Sequence, residues 1–89
     1  MVTFIEKLAF KDIYLAVVNL SHNQISKIEN GAFENCANIT VLDLSYNKIE
    51  NISRHAFDSA TYATELQLSY NYITSLSQVK FLQIDSVKI

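Results

Sequence analysis

The sequence predicts an α/β-type solenoid, a stack of coils that each contribute one short strand to a parallel sheet. Three observations predict it. Sliding the chain against itself by 24 residues superposes its aliphatic, Asn and Phe positions without a slip. Within each copy a brief in-and-out alternation, as around Val18 and Leu20, makes a strand only a few residues long. One Gly and no Pro in 89 residues leave too few turn-formers for a fold built on ordinary tight turns.

The columns follow in order. Leu15, Ile39 and Ala63 open each copy, then come Val18, Leu42 and Leu66, and then Leu20, Leu44 and Leu68. Ser21, Ser45 and Ser69 are identical, as are Asn23, Asn47 and Asn71, and Ile25, Ile49 and Ile73. Ile28, Ile52 and Leu76, then Phe33, Phe57 and Phe81, then Cys36, Ala60 and Ile84 complete the match. The chain accordingly divides into a tail of a preceding repeat at 1–14, repeats at 15–38, 39–62 and 63–86, and the start of another at 87–89. "VTFIEKLAF" matches "ISKIENGAF" with Ile5 under Ile28, at a shift of 23. Val87 is expected to open a further strand. Ala63 is the weak member of its column, a gap that Tyr62 could fill.

Each copy reads L-x-x-L-x-L-x-x-N-x-I-x-x-I, and in this the chain resembles the leucine-rich repeat family over nearly its whole length. "VLDLSYNKIENISRHAF" and "NLSHNQISKIENGAF" look like the typical 24-residue subclass, familiar from extracellular proteins such as Toll-like receptors, Slit and chaoptin. The resemblance implies parallel strands on a concave face and irregular, 3-10 or loop backbone on the convex side. Cys-rich caps of extracellular members are absent from the sequence. The expectation is therefore a solenoid uncapped at both ends, part of a longer ectodomain, and prone to edge-to-edge association.

The recurring Asn has a physical reason to lie among aliphatic residues. After the strand the backbone must turn inward, and its polar groups leave the ladder. The amides of Asn23, Asn47 and Asn71 can donate to and accept from backbone of their own and neighbouring coils, replacing the lost bonds. Phe33, Phe57 and Phe81 should stack as an aromatic spine.

Function is expected where the strands face outward, because inward positions build the core and a solenoid's sheet surface is its usual binding face. That surface carries Val17, Asn19 and His22, then Val41, Asp43 and Tyr46, then Glu65, Gln67 and Tyr70, with Ala16, Thr40, Thr64, Ser21, Ser45 and Ser69 between them. His22, Tyr46 and Tyr70 share one column with Tyr72 close by. Rings of this kind are enriched at binding hot spots. Asp43, Glu65 and Gln67 make the centre mildly acidic. Sequons at Asn19, Asn38 and Asn51 are candidate glycosylation sites. Asn38 and Asn51 are expected outside the strands, and Asn19 on the binding face.

Other classes find little support. A net charge of -2 and seven dispersed basic residues give no nucleic-acid footprint. The longest mostly apolar run, "IYLAVV", is too short to enter a bilayer as a span. The lone Cys36 sits in a core column and excludes an intrachain disulfide. No Ser, His and Asp set converges, His22 and His55 lie in different parts of the coil, and no ligand spacing for a metal occurs. The sequence thus predicts a non-enzymatic module without cofactor or metal that binds a protein ligand or partner receptor. The expected setting is an extracellular or membrane-anchored ectodomain of a receptor or adhesion protein. The alternatives are an intracellular repeat scaffold and a structural spacer.

Overall fold

The computed structural model describes residues 3–5, 17–33, 39–57, 63–74 and 84–89. Strands β1 (Phe4–Ile5), β2 (Val17–Asn19), β3 (Lys27–Ile28), β4 (Ile39–Asp43), β5 (Asn51–Ile52), β6 (Ala63–Gln67) and β7 (Ile84–Lys88) follow one another along the chain. They form two parallel sheets, ordered β2-β4-β6-β7 and β1-β3-β5. Parallel neighbours need a long return path, and the remainder of each coil supplies it.

Strand register follows the repeat through the first coils. Val18 faces Leu42, and Leu42 faces Leu66, both at the 24-residue spacing. Ile5 faces Ile28 at the shorter 23-residue shift read from the sequence. The last strand departs from expectation. Ala63 pairs with Ile84 and Leu66 with Val87, so β7 opens at Ile84 rather than at Val87, and the third coil returns after 21 residues. The ladder beyond the strands keeps this register, with the Leu68 amide donating to the Lys88 carbonyl at 2.7 Å.

A second, smaller sheet of β1, β3 and β5 forms on the returning part of the described coils. Its members are two residues long, yet amides continue the ladder beyond them. Ser26 N–H donates to Thr3 O, Glu29 N–H to Ile5 O, Glu50 N–H to Ser26 O, and Ser53 N–H to Ile28 O, all at 2.7–3.1 Å. The coil that carries β2 and β3 is thus hydrogen-bonded on two sides to the coil that carries β4 and β5.

Between the sheets lies the core. Ile39, Leu42, Leu44, Leu66 and Leu68 point in from β4, β6 and the residues after them, and Ile25, Ile28 and Ile49 meet them from the returning chain, all essentially without exposure. Burying an aliphatic side chain of this size contributes about 1.5–3 kcal/mol, so these columns carry much of the stability. Ala63, small for its column, is nevertheless buried between Ile39 and Ile84. Phe33 and Phe57 stack with centroids 5.4 Å apart and planes 9° from parallel. Phe81, the third expected member of that spine, lies outside the described residues, as do Cys36, Tyr62 and Leu15. Gly31, the single glycine, stands at φ 68 where the chain turns before Phe33.

The Asn column ties consecutive coils together. Asn47, 5% exposed, donates through Nδ2 to the carbonyls of Leu44 and Ser45 in its own turn and of Leu20 in the coil before, at 3.0–3.1 Å. Its Oδ1 accepts the Ile25 amide at 3.0 Å. Asn71 repeats the pattern with Leu68, Ser69, Leu44 and Ile49, and Asn23 donates to Leu20 and Ser21. Buried amides of this kind are retained because each satisfies backbone groups that the turn removes from the sheet.

Candidate functional site

Outward side chains of the four-stranded sheet fall into rows fixed by the strand pairing. One row runs Val17, Val41, Glu65, Ser86, and the next runs Asn19, Asp43, Gln67, Lys88. Val17 and Asn19 are exposed, while Val41, Asp43, Glu65 and Gln67 are half-buried by their neighbours. Thr40, Thr64 and Asp85 are exposed beside them. Ala16 and Asn38 lie outside the described residues.

At the ends of β2 and β4 the chain is turned by a side chain. Asn19 Oδ1 accepts from the Ser21 amide at 3.0 Å and from its hydroxyl at 2.6 Å, and Asp43 Oδ1 accepts from Ser45 N–H and Oγ–H at the same distances. Such Asx turns are a local alternative to continuing the ladder. They also correct one expectation. Ser45 is not part of the surface, being only 7% exposed, because its hydroxyl is folded back onto Asp43.

The next residue in each turn enters the left-handed region. His22 and Tyr46 have φ 56 and Tyr70 has φ 60. The amides of His22 and Tyr46 donate to Ser45 O and Ser69 O, at 3.2 and 3.0 Å, so the kinked backbone is held by the following coil. This conformation throws the three rings onto one line. His22 stacks on Tyr46 and Tyr46 on Tyr70, each pair with centroids 4.4 Å apart and planes within 9°. Tyr46 and Tyr70 remain 46% and 71% exposed. Tyr72, 61% exposed, is outside this stack.

Electrostatics on the face are local. Glu65 accepts from the Gln67 side-chain amide and pairs with Lys88 Nζ at 3.2 Å. The Gln67 hydrogen bond first, and Lys88 second, hold its carboxyl below the ordinary glutamate value, against opposing pushes from partial shielding from water and, less, from Asp43. Partial shielding from water, followed by the charge and hydroxyl of Tyr70, raises the Tyr46 phenol above its usual 10.0, so it stays protonated at neutral pH.

Two of the candidate glycan acceptors are described. Asn19 is exposed on β2, with its Oδ1 engaged by Ser21. Asn51 is exposed too, but it belongs to β5 and not to a loop, because the second sheet extends through it. Among the described residues no three His, Cys, Asp or Glu side chains gather as metal ligands, and no helix is long and apolar enough to cross a membrane. His22 lies in the ring stack, and His55 lies in a turn whose amide donates to Asn30 Oδ1.

Coils bonded edge to edge, with an Asn hydrogen-bonded to backbone carbonyls in each described turn and rows of outward side chains, define a repeat solenoid that displays a surface. The profile of the leucine rich repeat family matches residues 13–61, more than half of the chain. The chain belongs to the leucine-rich repeat family, whose members serve in general as non-enzymatic protein–protein interaction modules. No curated protein and no solved structure matches it.

Proposed function

We propose that this chain is a recognition segment of an extracellular or membrane-anchored receptor or adhesion protein, and that it engages its protein partner with the outward face of β2, β4, β6 and β7. The contact surface comprises Val17, Asn19, His22, Val41, Asp43, Tyr46, Glu65, Gln67 and Tyr70, with Tyr72 at its margin. Recognition works by rigid display. Two ladders and the Asn column hold the rows in place, so little ordering entropy is lost when a partner docks.

The observation that carries this reading is the ring stack. A non-glycine residue in the left-handed region costs roughly 1–2 kcal/mol, and the three residues His22, Tyr46 and Tyr70 all adopt it. The two stacked pairs return about 0.5–1.5 kcal/mol each. Stacking therefore falls short of the backbone strain, and Gly or Asn would suit these turns better. Strain kept at exposed aromatic positions is the mark of a site retained for contact.

Display of the chain against a panel of secreted and membrane ectodomains tests the proposal. A partner recovered by the wild-type chain should lose at least about tenfold in affinity when His22, Tyr46 and Tyr70 are replaced together by Ala, since hot-spot truncations cost 2 kcal/mol or more. Unchanged affinity would move the site elsewhere and leave this segment as a spacer. Secretory expression followed by peptide mass mapping addresses the compartment. A glycan on exposed Asn51 supports an extracellular setting, and bare Asn51 and Asn38 favour an intracellular scaffold.

A further inference from the structure

The ring stack has a chemical property that is independent of any partner. Tyr46 and Tyr70 lie face to face with centroids 4.4 Å apart and planes 9° from parallel, and both are open to solvent. Their approach is not a chance contact of two long side chains. The strands beneath them are paired through Asp43 and Gln67, and the Tyr46 amide donates to Ser69 O at 3.0 Å immediately before Tyr70. His22 covers the other face of Tyr46, so Tyr70 is the phenol that Tyr46 meets within the stack.

We propose that Tyr46 and Tyr70 form an oxidative cross-linking site, at which a peroxide acting through a one-electron peroxidase joins the two rings by a carbon–carbon bond and covalently ties the second coil to the third. Each phenol gives up one electron to the oxidant and its hydroxyl proton to water, leaving a phenoxyl radical whose unpaired electron is shared with the ring carbons beside the oxygen. The two radicals pair through these Cε carbons. Loss of the two Cε hydrogens as protons and return of two protons to the oxygens restores both phenols. The net change is the removal of two hydrogens, two electrons and two protons in all, and these reduce one hydrogen peroxide to two waters. Solvent exposure matters because the peroxidase must draw an electron from both phenols. The near-parallel stack matters because the coupling partners are already adjacent when the radicals form.

The link would close the chain between the two turns into a covalent loop. Like a disulfide, such a loop restricts the unfolded ensemble and thereby raises resistance to unfolding. The segment would harden under oxidising conditions by means other than cysteine chemistry.

The test treats the full chain with hydrogen peroxide and a haem peroxidase, then measures intact mass, dityrosine fluorescence and the linked peptides. The expected product is a monomer lighter by two hydrogens, with the peptide containing Tyr46 joined to that containing Tyr70, and with a raised denaturation midpoint. Holding the rings together makes coupling intramolecular, so Tyr46→Phe or Tyr70→Phe should each lower its yield by about tenfold or more, whereas Tyr72→Phe should leave it unchanged. Phe keeps the ring and the stack, so loss of folding does not confound the result, and circular dichroism of each variant checks this. Cross-links found only between molecules, a link mapped to other tyrosines, or tyrosine oxidation without an intramolecular product would each overturn the proposal.

Discussion

Replacing Asn47 by Leu isolates what the buried amide does. Four hydrogen bonds disappear, three donated by Nδ2 and one accepted by Oδ1. Their consequences differ. The Leu20 carbonyl keeps Asn23 Nδ2, the Leu44 carbonyl keeps Asn71 Nδ2, and the Ser45 carbonyl keeps the His22 amide, so each acceptor retains one partner. The Ile25 amide loses its acceptor, Asn47 Oδ1, and Ile25 is fully buried. One orphaned buried donor costs about 1–3 kcal/mol, and the apolar Leu side chain offsets part of the lost acceptor bonds. A net loss near 2 kcal/mol is expected, equivalent to roughly 10 °C in Tm for a domain of this size. Urea denaturation followed by circular dichroism reads it as a lower midpoint with an unchanged slope. Asn47→Asp sharpens the test. Its carboxylate would face three carbonyls at the positions where Nδ2 now donates, which raises the folded-state pKa above the unfolded value. That variant should be most stable below the unfolded pKa and lose stability as pH rises through the folded one. A Leu variant as stable as the wild type, or an Asp variant indifferent to pH, would refute the assignment of the turn's hydrogen bonding to this column.

Three further outcomes are expected. Phe57→Ala should cost about 3–5 kcal/mol, since it empties a nearly buried ring site stacked on Phe33; a denaturation midpoint within error of the wild type would remove the spine from the account. The Glu65 carboxyl, followed by NMR, should titrate below the ordinary glutamate value, and Gln67→Ala and Lys88→Ala should each raise its midpoint. Because its folded pKa is depressed, any stability it contributes is present above the unfolded value and is lost as pH falls through the folded one. Tyr70→Gly should leave the chain as stable or slightly more so, as relief of its left-handed strain, about 1–2 kcal/mol, outweighs the single stacked pair it shares with Tyr46; strong destabilisation would make the ring a structural element.

Much of the fold was legible because its period is imposed by stacking. A core side chain in one coil must lie over its counterpart in the next, so Val18, Leu42 and Leu66 declare the register of β2, β4 and β6 directly. The shorter first shift was legible for the same reason, through Ile5 and Ile28. The register of β7 was misplaced because Val87 extends an aliphatic column at 24 residues. Ile84, Val87 and Ile89 nevertheless reproduce the L-x-x-L-x-L spacing of Ala63, Leu66 and Leu68, and that signal would have located the strand. The second sheet left no trace, since Lys27–Ile28 and Asn51–Ile52 are too short to show an alternation.

At the candidate site the shared column of His22, Tyr46 and Tyr70 could be read from spacing. Its stacking and positive φ could not, because left-handed turns are ordinarily announced by Gly or Asn and here the Asn comes one residue later. The recruitment of Ser45 by Asp43 was also hidden. An Asp two residues before a Ser is common, and only the turn brings the pair together.

Proton NMR of the isotopically labelled chain examines the stacked coil most directly. The Asn47 side-chain amide protons should show contacts to both Leu20 and Leu44, and cross-strand contacts should join Val41 to Glu65 and Glu65 to Ser86, with the Ile25 amide slow to exchange. Fast exchange at Ile25, together with helical sequential contacts in place of cross-strand ones, would contradict the solenoid and every surface assignment that depends on it.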